Sequence, residues 1–105
     1  MDVGTQLGAL ADPTRRRIFD LVRSGPLSVR ELTEQVTVSQ PAVSQHLRVL
    51  AEAQLVTATP EGARRLYAAD PRGIEQLRSW IESMWDDVLD AFADAATTEQ
   101  EGDDR

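Results

Sequence analysis

Apolar residues recur at helical spacing through most of this chain and alternate in one short stretch only. Val3, Leu7, Leu10 and Ala11 mark a short first helix. Asp12-Pro13 then supplies a cap and a first-turn proline, so a second helix starts there, with Ile18, Phe19, Leu21 and Val22 on its apolar side. Ser24-Gly25-Pro26 ends it. Ser28, followed three residues later by Glu31, is a capping box that opens a third helix with Val29, Leu32 and Val36 inward. After a brief turn at Thr37-Val38, Ser39 caps a fourth helix. It carries Pro41 in its first turn, where a missing N–H costs nothing, and it runs to Ala53.

The period then changes. Leu55 to Thr59 is short and rich in β-branched residues, Pro60-Glu61-Gly62-Ala63 is turn chemistry, and Arg64 to Ala68 alternates again. This predicts a two-stranded hairpin. Asp70-Pro71 repeats the cap-plus-proline signal and begins a long fifth helix, ending near Ala96. The last residues, TTEQEGDDR, have nothing to bury. The pattern therefore predicts one domain over residues 1–96 and an acidic, disordered tail over 97–105.

The fourth helix divides sharply. On a wheel, Val43, Leu47 and Leu50 fall together and face the core, while Pro41, Ser44, Gln45 and Arg48 fall opposite. Gln40 sits in the exposed first turn. Exposed helix faces are usually dominated by Glu and Lys; this one is short-chained and carries a single charge. Ser, Gln and Arg can hydrogen-bond base edges in a major groove. A solvated polar face explains the helix equally well in isolation. The order of elements favours the reader: short helix, tight turn, capped helix, then a hairpin with Arg64 and Arg65 near its tip. That is a winged helix-turn-helix, mainly α with a small β-hairpin wing.

A formal net charge of −7, taken alone, opposes a nucleic-acid partner. Its distribution removes the objection. Residues 1–72 carry nine Arg against eight acidic residues, and residues 73–105 carry two Arg against ten. Phosphate binding depends on the local patch rather than the total. The chain has no cysteine, which excludes disulfides, Cys-based metal sites and thiol redox chemistry. No apolar run reaches the ~18 residues a membrane span needs, and the N-terminal residues do not read as a secretory signal, so the cytoplasm is the expected compartment. There is no nucleophile–base pair or phosphate-binding Gly loop, and an enzyme is not expected.

The segments ALADPTRRRIFDLV (9–22), LSVRELTEQVTVSQPAVSQHLRVLAEAQLV (27–56) and GARRLYAAD (62–70) together resemble the ArsR family of small bacterial winged-helix repressors, most of all its SdpR-like branch without metal ligands. The resemblance implies a homodimer that binds an operator, usually near its own promoter, and represses transcription. It carries the family's recognition-helix contacts onto Ser39, Gln40, Ser44, Gln45 and Arg48, its wing contacts onto Arg64 and Arg65, and the arginine after the DPT turn onto Arg15. Pro41 completes the expected DNA-facing set. Metal-sensing members carry a Cys-containing box on the third helix, where this chain reads Arg30 to Val36 without Cys. Others use His and carboxylates on the C-terminal helices, but here that helix has no His. Persulfide sensors need two Cys. No metal or cofactor is expected.

Single features have plainer readings too. His46, the only histidine, lies at the edge between core and surface, and one His does not make a metal site. Arg15-Arg16-Arg17 stands at a helix N-terminus, where the dipole disfavours cations, so one of the three is a candidate phosphate contact. Asp86, Asp90 and Asp94 line up along one helix face, which is usually a solvated face and not a cation site.

The fifth helix is apolar over half its circumference: Ile74, Leu77, Trp80, Ile81, Met84, Trp85, Val88, Leu89 and Phe92. A helix docked on one small domain needs a narrower stripe. The pattern predicts a homodimer through the first and last helices, using Leu7, Leu10, Leu77, Trp80, Ile81, Met84, Trp85 and Val88. Two-fold symmetry would then match a near-palindromic operator in double-stranded DNA. Two other classes remain open at this point. One is a regulator with a small-molecule effector pocket at the dimer interface. The other is a protein-interaction module that has lost DNA binding.

Overall fold

The computed structural model describes residues 2–103, with side chains to Thr97. The elements run α1 (Val3–Ala11), α2 (Pro13–Val22), α3 (Val29–Thr33), α4 (Gln40–Glu52), β1 (Val56–Glu61), β2 (Arg64–Ala69) and α5 (Pro71–Asp103). Each helix start has its physical cause in place. The Asp2 carboxylate accepts from Thr5 N at 2.8 Å and that of Asp12 from Arg15 N at 2.9 Å. Ser28 and Glu31 form the complete reciprocal capping box. Ser39 Oγ accepts from Ala42 N at 3.3 Å, and Asp70 Oδ1 from Arg72 N at 3.0 Å.

The core gathers Ile18, Phe19 and Val22 of α2, Leu32 of α3, Val43, Leu47 and Leu50 of α4, and Leu55 and Val56 beyond it. Their burial holds α2, α3 and α4 in one fixed packing, with the other face of α4 turned outward. Gln6 and Ala9 are buried, Val3 and Leu10 pack at the core edge, and Leu7 is exposed. Gln6 Nε2 donates to Gln76 Oε1 at 2.9 Å and to Ala53 O at 3.3 Å, while its buried Oε1 accepts no hydrogen bond from the described residues.

The helix α4 ends in a left-handed residue, Gln54 (φ +60). Gln54 N donates to Ala51 O and Leu55 N to Leu50 O, a Schellman closure that drives Leu55 into the core. The hairpin is antiparallel, with Val56 opposite Ala69 and Glu61 opposite Arg64. Pro60 and Glu61, expected in the turn, lie in β1; the turn narrows to Gly62-Ala63, with Gly62 at φ +62, the conformation tight hairpin turns demand of a glycine. Leu27 adds a single antiparallel bridge to Tyr67, tying the wing to the segment before α3.

The fifth helix departs most from expectation. It continues through Asp103 instead of ending near Ala96, so the segment expected to be a disordered tail is helical as far as it is described; residues 104 and 105 lie outside the described residues. Nothing breaks the helix before Gly102, and Ala, Gln and Glu are strong helix formers. Its first turns dock on the domain through Gly73, Ile74 and Leu77, and from Arg78 to Thr97 every residue is exposed. Leu77, expected at a subunit interface, is therefore buried in the chain's own core, and Leu10 is half-buried there. Among the described residues no helix is long and apolar enough to cross a membrane.

Candidate nucleic-acid interface

Ser39, Gln40, Pro41, Ser44, Gln45 and Arg48 are all exposed, on one continuous surface along α4. Ser39 also serves the fold: its hydroxyl oxygen caps α4 while its proton stays available to an outside acceptor. His46 points elsewhere. Its Nδ1 lies 3.5 Å from Arg15 Nη1, between α4 and α2.

The wing and the start of α4 face each other across a cleft of about 560 Å³ lined by Ser28, Val29, Arg30, Gln40, Ala63, Arg64, Arg65 and Tyr67. This brings Gln40, Arg64 and Arg65 together. It also adds Arg30, which the sequence reading passed over although it follows the capping Ser28 on the side of α3 opposite Leu32.

The arginines are not equivalent. Arg15 is half-buried; its Nε donates to Ala9 O and its Nη1 reaches His46. Arg64 Nη1 lies 3.5 Å from Glu31 Oε1 and Nη2 lies 3.9 Å from Glu61. Glu31 also accepts from Ser28 N at 3.0 Å, so one carboxylate joins the cap of α3 to the wing. The Ser28 N–H and hydroxyl, and then Arg64, hold its pKa below the ordinary 4.5. Among the described residues the guanidinium groups of Arg17, Arg48 and Arg65 have no hydrogen bond or ion pair. Unpaired, exposed cations on a surface of neutral donors are suited to polyanions. Among those residues no three His, Cys, Asp or Glu side chains gather in a metal-holding group.

A model of the arsR family of bacterial regulatory proteins matches residues 12–58, which spans the helix-turn-helix and reaches the wing. The HTH-type transcriptional regulator Rv2034 of Mycobacterium tuberculosis is 47% identical over 96 residues, covering 91% of this chain and 88% of that protein. The chain belongs to the ArsR family. The transcriptional repressor SdpR of Bacillus subtilis is 29% identical over 73 residues, covering 70% of this chain and 81% of SdpR. The crystal structure of a possible transcriptional regulator for arsenical resistance superposes with a TM-score of 0.70 at 46% identity, covering 84% of this chain and 92% of that one. The first two of these relatives are transcriptional regulators. This ArsR-family chain is a transcriptional regulator with the winged-helix architecture expected from its sequence.

Proposed function

We propose that the chain is a homodimeric repressor that places α4 in the major groove of a near-palindromic operator. The observation that carries this reading is the outer face of α4. Ser44, Gln45 and the unpaired Arg48 stand exposed together, backed by the buried Val43, Leu47 and Leu50. These side chains address base edges, with Arg48 matched to guanine. Ser39, Gln40 and Pro41 lie at the groove rim, and Arg65 on the wing meets the backbone. Arg15 and Arg64, tied to their own chain, hold α1, α4 and the wing in place.

The dimer reading rests on exposed apolar side chains. Leu7, Trp80, Ile81, Met84, Trp85, Val88, Leu89 and Phe92 are each at least 41% exposed. An apolar stripe of this length seeks burial, and a second copy across a two-fold axis supplies the same stripe in return. The test is polarisation binding to the DNA upstream of the chain's own coding sequence, with the Gln45→Ala/Arg48→Ala double variant beside the wild type. Salt-dependent binding lost in the variant supports the assignment. Binding that survives in the variant removes α4 as the reader.

A further inference from the structure

We propose that Arg17, with Gln35 and Thr37, forms a second anchor for a DNA backbone phosphate, at the end of the interface away from the wing. This rests on the DNA-binding reading above and adds a site to it. Arg17 forms one wall of a cleft of about 270 Å³ whose lining is completed by Pro13, Thr14, Gln35, Val36 and Thr37. The lining holds one cation, a carboxamide and two hydroxyls, and no carboxylate. Those are the groups that hold a phosphate diester on a duplex: a guanidinium for charge and neutral donors for its oxygens.

The charge is also uncommitted. Of the three consecutive arginines, Arg15 is tied to Ala9 O and His46, and Arg16 donates to Leu10 O at 3.1 Å. Arg17 alone has no hydrogen bond or ion pair among the described residues. The nearest acid along α2, Asp20, is held by Arg23 at 3.1 Å. Arg17 is exposed as the fifth residue of α2, beyond the first turn where the helix dipole acts. The position fits the rest of the interface. Thr37 lies three residues before Gln40, which opens α4 and lines the wing cleft, and the two clefts share no lining residue. Arg65 and Arg17 would thus grip the backbone at two places around the groove that α4 enters.

A phosphate anchor acts on any sequence, so the probe is a fluorescein-labelled mixed-sequence duplex of about 30 base pairs, roughly three helical turns, alongside the upstream fragment, titrated at several potassium chloride concentrations. Arg17→Ala is expected to bind both duplexes roughly ten-fold more weakly and to lower the slope of log K against log salt by about 0.9, one phosphate's worth. Arg17→Lys is expected to keep the slope. Arg78→Ala, which removes the same charge from α5, is expected to leave it unchanged. Wild-type protein that binds with the same slope as Arg17→Ala overturns this anchor alone, as does an equal fall for Arg78→Ala. Wild-type protein that binds neither duplex overturns the anchor and the DNA-binding reading together. Circular dichroism checks that the variants keep the helical fold.

Discussion

Gly73 of α5 lies against the backbone of Gln54 at the end of α4, so closely that a Cβ on Gly73 would stand 1.8 Å from the Gln54 carbonyl oxygen. No rotamer relieves a clash with backbone. Gly73→Ala is expected to destabilise the fold by about 3 kcal/mol, the upper end of overpacking costs. Gln54→Gly, which removes a side chain from a left-handed position, is expected to add about 0.5–1 kcal/mol. Urea denaturation of both variants checks the pair, and a stable Gly73→Ala would mean that α5 does not seat there.

The wing arginines should separate. Arg65→Ala is expected to lower the salt slope of DNA binding by about one, because its guanidinium is free to take a phosphate. Arg64→Ala should weaken binding with little change in slope, since its charge is spent on Glu31 and Glu61. Glu31→Ala should raise the slope, the opposite of Arg65→Ala, because it releases the Arg64 guanidinium to a phosphate. Equal slopes for Arg64→Ala and Arg65→Ala would show that both face the backbone.

Arg48→Ala is expected to cost about 1–3 kcal/mol at the operator and much less on a mixed-sequence duplex, since a base contact is sequence-bound. Arg48→Lys should not restore the loss, as an ammonium cannot make the two-pronged contact. Competition between the two duplexes measures the difference.

Stability should fall in acid. The carboxylates of Asp2, Asp12, Glu31 and Asp70 all titrate below their ordinary values in the folded chain. For Asp70 the first cause is Arg72, which grips it with Nε at 3.1 Å and Nη2 at 2.9 Å. A lowered folded pKa contributes stability that is whole above the unfolded value, 3.8 for Asp and 4.5 for Glu. That contribution is lost as pH falls through the folded values. Thermal melts from neutral pH down to about pH 3 should show a declining midpoint. Asp70→Asn should flatten the decline, and a midpoint independent of pH would refute the linkage.

Trp85→Glu is expected to leave the helical content and core intact while producing monomers in sedimentation. Trp85 is 61% exposed in the single chain, so its replacement disturbs nothing within it. A dimer that persists in this variant and in Ile81→Glu would place the interface elsewhere.

Local chemistry was legible where the responsible residues are neighbours in sequence. The caps at Asp12, Ser28 and Ser39 and the buried triplet Val43, Leu47 and Leu50 all follow from spacing alone. Features made by distant partners were not. The Leu27–Tyr67 bridge is one residue long and has no period. Gln6 reads as a surface amide until Ala53 and Gln76 close on it. Strand alternation sends Arg64 and Arg65 to opposite faces, so the sequence allows one main contact without saying which; the fold shows that Glu31 takes Arg64. Apolar content marks where a helix docks, while helix propensity marks how far it extends, so the end of α5 does not follow from the apolar pattern.

The uneven charge of this molecule is also an orientation. Its residues are stretched to 74 Å in the longest direction, with the near-neutral winged domain at one end and the acidic run of α5 leading away. In the field of a polyanion such an object feels a torque, because its acidic arm is pushed off while the arginine-bearing face is not. On the proposed DNA-binding reading, collisions then arrive with the outer face of α4 already turned toward the duplex. Neutralising Asp86, Asp87 and Asp90 would change both this steering and the overall repulsion without touching a contact, so the effect would appear in the association rate and not in the lifetime of the complex.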